Sequence, residues 1–387
     1  LVLESPDYFR LFNITFFTIV IQLSNEIPRA LLRIEEKSVL FVTISLFRLI
    51  INLTLNIIFI VYSGMGVFGI LLGGLISSAA IGVFLVIYIL RNMRLAYSFD
   101  ILRDMLKYSV PLMWSWFGMF VLHFGDRFLL QRLGSLSEVG IYSLAYKFAF
   151  IPNLLILGPF QMIWASKRFE LIKESNAGEL FSNIFTYFMF VFIFISLGMS
   201  ILIKDVIQIV ADSQYHEAYI YIPVLLAAHV FYAAFNYVQL GIHFEKKTRY
   251  LAYATLIGGL FNIGMNVLLI PRIHIWGSTL TTLVSWALLT VLTYIPSQKL
   301  YHVSYQFGRL LKLILPAVGL FALSTQIDID SLPISIVVKF ILALSYPLIL
   351  YIIRFYSEDE KRRLAREVVK IWPKIKERFF NKDIGTT

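Results

Sequence analysis

Two groups of polar and charged residues interrupt otherwise apolar stretches of this 387-residue sequence, and both carry side chains that bind anions or move protons. Arg48 is followed by Asn52 and Asn56, at i+4 and i+8, so the three share one face of a helix. A guanidinium in such a place offers directional, charge-assisted hydrogen bonds to phosphate oxygens. The second group is His123, Asp126 and Arg127, followed across a tight hairpin at 134–137 by Tyr142, Tyr146 and Lys147. It brings together a histidine able to exchange protons near neutral pH, a carboxylate, two cations and two phenols. All nine residues are candidates for lining a substrate cavity.

Each has a plainer alternative. The asparagines also suit hydrogen bonding between packed helices. Lys147 either lines the cavity or pairs with Asp126 across the hairpin, and Arg127 could equally neutralise that carboxylate. His123 reads as a proton-coupled site or as a hydrogen-bonded packing residue. Arg10 and Lys339 also fall inside apolar stretches, but near their outer ends, where a long side chain can snorkel to the interface.

The elements that hold these residues are apolar runs of about 20 residues, long enough to cross roughly 30 Å of hydrocarbon. Eleven are present, at 8–32, 38–62, 66–91, 108–132, 137–165, 180–203, 217–243, 249–270, 275–298, 308–326 and 333–355. With 58% hydrophobic residues and a mean hydropathy of +0.76, the chain suits lipid as its solvent. In lipid every backbone N–H and C=O must be satisfied within the segment, and runs this long without alternation do not suit a barrel. The expected fold class is therefore all-α membrane, a polytopic bundle. The same placement puts Arg48 about 15 Å into its helix, too deep for easy snorkelling.

Lysine and arginine orient the bundle. With the loop from Arg29 to Lys37 on the cytoplasmic side, 26 of the 34 Lys and Arg fall on that side, counting the tail from Arg354 onward. The opposite face has only Arg132, Lys204 and Arg272. The formal net charge of +10 is thus topological, and nucleic acid is not an expected partner. A cysteine introduced at Lys246 is expected to react with membrane-impermeant reagent only from inside, and one at Asp328 from outside. The reverse pattern would overturn the topology.

An internal repeat runs through the helices. Glu35-Glu36-Lys37-Ser38, followed by Asn52 and Asn56, recurs 210 positions later as Glu245-Lys246-Lys247-Thr248, followed by Asn262 and Asn266. After a two-residue shift, Gly69, Ser77 and Ala79 fall on Gly277, Ser285 and Ala287. Both copies enter the bilayer from the same side, so the repeat is parallel and relates two lobes. Gly258 stands where Arg48 would recur, so the common scaffold does not demand that charge. The three helices before the second copy have no counterpart before the first, and the sequence opens on Leu1. The expectation is an incomplete N-lobe, with roughly a hundred residues upstream and about fourteen helices in the intact protein. The expected divisions are a partial N-lobe at 1–91, a linker at 92–107, a C-lobe at 108–298, two further helices at 299–356 and a basic tail at 357–387. A short amphipathic helix is expected within the linker, at Ser98 to Met105. In the tail, Leu364, Val368, Ile371, Ile375 and Phe379 lie at helical spacing, as a helix lying on anionic lipid or a solvated one.

Pro111-Leu112, Gly125-Asp126-Arg127-Phe128-Leu129-Leu130 and Val139-Gly140-Ile141-Tyr142-Ser143-Leu144-Ala145-Tyr146-Lys147 resemble the middle of bacterial polysaccharide and O-antigen flippases. That family belongs to the multidrug/oligosaccharidyl-lipid/polysaccharide (MOP) exporter superfamily, and its usual motifs read "GLP", "ADRFLLG" and "VGIYSVAYR". Here Val110, Gly125 and Gln131 depart from them. The resemblance implies a MATE-like two-lobe fold in the inner membrane. It also implies alternating access for a polyprenyl-diphosphate-linked oligosaccharide, in O-antigen or lipopolysaccharide synthesis, beside a polysaccharide polymerase and glycosyltransferases. A drug/cation antiporter of the same superfamily is a rival reading and would call for acidic cavity residues. A membrane glycan polymerase or ligase is another and would call for a large outer loop. Six histidines without metal-ligand spacing, no cysteine, and no phosphate loop, nucleophile elbow or paired carboxylates leave no expectation of an enzyme, a cofactor or a metal.

Overall fold

A computed structural model describes residues 6–92, 97–327, 329, 331–358 and 360–362, the side chains of 6–8 excepted. Asp328 and the tail positions 364–379 lie outside the described residues. The chain divides into two compact units, Leu1–Asp100 and Ile101–Thr387.

The first unit holds α1 (Pro6–Ile34), α2 (Ser38–Ile57), extended by a π-helical turn at Ile58–Tyr62, and α3 (Gly66–Asn92). The second opens within α4 (Phe99–Leu133) and continues with α5 (Leu136–Ala149), a π-helical turn at Asn153–Leu157 and α6 (Gly158–Leu171). Then come α7 (Ala177–Val210), α8 (Ala218–Val238), α9 (Leu240–Phe244) and α10 (Arg249–Leu300). It closes with α11 (Phe307–Ser324), α12 (Leu332–Leu344) and α13 (Tyr346–Ile352).

Among the described residues eight helical segments are long and apolar enough to cross a membrane, and the one at Arg249–Leu300 spans 52 residues. That is enough for two crossings, and its helical path breaks at Ile273 and at His274, where φ is +52°. α1 and α4 carry more charge but are 29 and 35 residues long. The eleven expected spans are all present as helices. Large apolar side chains remain exposed along them, such as Phe16 at 54%, Phe117 at 57% and Leu315 at 67%, a surface that only lipid covers favourably. The chain is a multi-pass membrane protein. Ser98–Met105 does not form a separate short helix, because α4 starts at Phe99 and runs unbroken through it.

The repeat survives in local geometry within each unit. Glu36 and Lys246 both adopt a left-handed conformation, with φ of +56° and +53°. Around them Lys37 N–H bonds the Leu32 carbonyl and Lys247 N–H the Ile242 carbonyl, each at 2.9 Å. A Cβ on Gly69 would lie 2.8 Å from Phe59, ten residues before it, and one on Gly277 would lie 2.7 Å from Leu269, eight residues before it. Only glycine allows helices to approach this closely, so the two residues mark the same crossing in each unit.

Candidate functional site

In the second unit α4, α5 and α10 converge on Asp126, which has no exposed surface. Its Oδ1 accepts from Asn266 Nδ2 at 2.7 Å, and its Oδ2 from the Tyr142 hydroxyl at 2.7 Å and the Thr282 hydroxyl at 2.8 Å. Tyr142 lies one helical turn beyond the α5 capping box formed by Ser135 and Glu138, which sets the α4–α5 hairpin. Asn266 comes from the first half of α10 and Thr282 from the second, so the break at Ile273 and His274 is what folds both onto one carboxylate. Asn262 joins them, accepting from Asn266 at 3.1 Å and donating to Ser285 at 3.3 Å. Asn266 Oδ1 and Ser278 Oγ are buried there without a hydrogen-bond partner.

The first unit contains the same asparagine ladder. Asn52 Nδ2 donates to Ser77 Oγ at 3.3 Å and Asn56 Nδ2 to Asn52 Oδ1 at 3.1 Å, leaving Asn56 Oδ1 buried and unpartnered. These are hydrogen bonds between packed helices and along one helix. Half-buried Arg48 extends the stripe and reaches Ser78 Oγ through Nη2 at 3.4 Å. Ser78 is shared with Gln22 Nε2 at 3.3 Å, and its carbonyl accepts from Asn25 at 3.0 Å. Among the described residues no carboxylate lies within ion-pair distance of Arg48, whose one bond is long for its type.

Several expectations need correction. Lys147 does not pair with Asp126, because it is exposed on α5 while the carboxylate faces inward. Arg127 does not neutralise Asp126 by contact either. It donates to the His123 carbonyl, and its guanidinium sits 4.4 Å from the centre of the Tyr146 ring, a cation–π arrangement. Asp126 and Tyr142, read as cavity lining, are fully enclosed, and Tyr146 is 5% exposed. His123 is half-buried, with Nδ1 2.7 Å from the Tyr146 hydroxyl and its ring against Trp286 and Tyr232. Lys339 does not snorkel. It is 5% exposed, and its ammonium is 2.7 Å from Asp205 Oδ2, with Ser335 donating to Oδ1 at 3.0 Å.

Two features escaped the sequence reading. Thr282 completes the carboxylate nest, and its only local signal is a Ser278-Thr282 pair at i, i+4. Asn153 opens the π-helical turn and meets the fully buried His229 at 3.0 Å, leaving Asn153 Oδ1 and His229 Nε2 unpartnered. π-Turns concentrate at functional sites, and Pro152 just before it was the available hint.

A buried carboxylate held by an amide N–H and two hydroxyls, with an unpartnered amide oxygen beside it and no cationic side chain in contact with it, is chemistry for a small hard cation or a proton. Among the described residues no group of three or more His, Cys, Asp or Glu could hold a metal ion.

A family model described as "Polysaccharide biosynthesis protein" matches residues 1–220. No curated protein sequence matches the chain significantly. Among solved structures, "Lipid II flippase MurJ, inward closed conformation" superposes with a TM-score of 0.63 at 17% identity, covering 89% of this chain and 75% of that one. An "Outward-facing conformation of a multidrug resistance MATE family transporter of the MOP superfamily" superposes with a TM-score of 0.61 at 15% identity, covering 75% and 68%. At these identities the likeness establishes the fold.

Proposed function

Because this chain belongs to the polysaccharide biosynthesis protein family and has the fold of MOP exporters, we propose that it moves a polyprenyl-diphosphate-linked oligosaccharide across the inner membrane. The observation that carries the substrate class is Arg48. A guanidinium deep in an apolar helix, with no carboxylate within ion-pair distance among the described residues, suits an anionic ligand, and a diphosphate is the anion that a lipid-linked glycan brings. The physical task is to shield a charged, hydroxylated head from hydrocarbon, where burying it unpaired would be prohibitive. No covalent step is required, so the protein acts as a transporter and not as an enzyme.

The enclosed Asp126 argues against the antiporter reading, because a bulky drug cation cannot reach a carboxylate with no exposed surface and every oxygen hydrogen-bonded. A small cation can. Half a turn of the Asn266 amide would aim its unpartnered Oδ1 at the same point as the carboxylate, so we assign ion coupling to this nest. The connections between α4 and α5 and between α7 and α8 are short, which disfavours an outer-loop polymerase or ligase. With the lysine and arginine bias placing the tail inside, O-antigen or lipopolysaccharide assembly alongside glycosyltransferases and a polymerase is the corresponding cellular role.

The reading is tested by reconstituting the protein in vesicles and following a fluorescent polyprenyl-diphosphate oligosaccharide from one leaflet to the other. Movement above protein-free vesicles is expected. Transport of cationic dyes with no movement of the lipid-linked sugar would overturn it.

A further inference from the structure

α5 packs chiefly on α8 and meets α10 at few places, and two of those meetings are polar. In the interior the Tyr142 and Thr282 hydroxyls lie 3.0 Å apart, both on the Asp126 carboxylate. One helical turn earlier, on the same face of α5, Glu138 reaches His274, with Oε1 2.9 Å from Nδ1. The same carboxylate closes the α5 capping box, where its Oε2 accepts from the Ser135 N–H at 2.8 Å. Gly134 leaves room for it, since a Cβ there would meet both Oε2 and the Leu130 carbonyl. Glu138 therefore ties the start of α5 to the break in α10.

His274 is the residue at which that break turns. Its φ of +52° and ψ of −126° are strained for a residue with a side chain, and such a conformation persists only when the surroundings impose it. Asn266 and Thr282 flank it at eight residues on either side, so the angle of the break decides whether both can meet on Asp126. The Glu138 side chain is 19% exposed and that of His274 65%, which leaves the imidazole open to exchange protons with solvent. Around the pair, α4 ends with Arg132, the turn before α8 carries Tyr215 and His216, Glu217 precedes α8 with Tyr221 a turn on, and α10 carries Arg272. Among the described residues none of these forms an ion pair with Glu138 or His274.

We propose that Glu138 and His274 are positioning residues for the cation nest: their contact holds the α10 break against α5, so that the affinity of Asp126 for its cation follows the protonation of His274. The proposal rests on the ion coupling assigned to Asp126 and names what regulates it. Protonated, the imidazole pairs with the carboxylate through a charge-assisted hydrogen bond that keeps the break in place. As pH rises and the proton leaves, the contact weakens and the cation binds less well. Direct competition between proton and cation at Asp126 has the opposite sign, with cation binding improving as pH rises. Together they give an affinity that rises, passes through a maximum and falls.

The test uses the full chain purified in detergent, with lithium, sodium and potassium chlorides as probes and the cation-induced rise in unfolding temperature as the measure of affinity across pH. The native protein is expected to show the maximum. Glu138→Gln keeps the capping box, because glutamine also accepts from Ser135, but removes the charge. It and His274→Gln should each abolish the falling limb. His274→Gly, which relieves the strained φ and removes the contact, should weaken cation binding about tenfold without lowering the unfolding temperature in cation-free buffer. A falling limb that survives in both glutamine variants, or native cation affinity in His274→Gly, would overturn the proposal. Should the glycine variant fail to fold, the two glutamine profiles decide alone. A native protein that binds a cation with only a rising limb rejects the clasp and leaves the ion reading of Asp126 standing. One that responds to none of the three cations at any pH rejects a metal-cation nest and the proposal with it.

Discussion

Arg48→Ala is expected to abolish movement of the lipid-linked oligosaccharide while leaving membrane insertion and abundance normal. The guanidinium has five donors and spends one on a 3.4 Å contact with Ser78, a bond that contributes little to holding the helices together. The packing of the first unit rests on other contacts, chiefly Asn25 to the Ser78 carbonyl, Asn52 to Ser77 and the buried Leu32, Ile44, Ile81 and Leu85. Removing the charge should therefore spare the fold. Arg48→Lys should retain part of the activity, because an ammonium attracts phosphate but does not reproduce the planar, bidentate geometry. Loss of transport of about 100-fold corresponds to about 2.7 kcal/mol, the size expected for one strong charge-assisted contact. Vesicle transport and thermal unfolding measured on the same preparations separate the cases. Full transport by a normally abundant Arg48→Ala protein would refute the phosphate role.

Asp126→Asn is expected to lower transport at least tenfold and to remove its dependence on the driving cation. In the intact protein, a cation that binds only the folded state should raise the unfolding temperature, with about 2.7 kcal/mol gained at 100 times its dissociation constant. The variant should show no such rise. The nest would keep its shape, since asparagine has the same outline and the Tyr142 and Thr282 hydroxyls can turn to pair with it. Unfolding should be followed in sodium, lithium, potassium and a large organic cation, and across pH to detect a proton in the same place. An intact protein whose stability responds to none of these would sink coupling at Asp126.

Sequence alone determined the number of spans and the repeat, because each depends on properties that add up along the chain, and by the same logic it predicts sidedness. Hydrocarbon thickness sets the length of an apolar run, and lysine and arginine bias its flanks. The 210-residue offset made the two asparagine ladders legible, and both form the same bonds, Asn52 with Ser77 and Asn262 with Ser285. Local pattern also placed Arg48 on a polar stripe.

Tertiary structure decided which charges are paired. Asp126 and Lys147 are close in sequence and close across a hairpin, so pairing them was reasonable; the helical phase of α5 instead turns Tyr142 inward and Lys147 outward. The partners that Asp126 takes, Asn266 and Thr282, lie 140 and 156 residues away, brought in by a helix break centred on His274. Lys339 had the depth and length to snorkel, yet Asp205, 134 residues before it, draws its ammonium inward. An ionisable group in a bilayer goes to whichever is cheaper, water at the interface or a partner in the interior. Depth along one helix specifies only the first option, and the second exists only once another helix has packed against it.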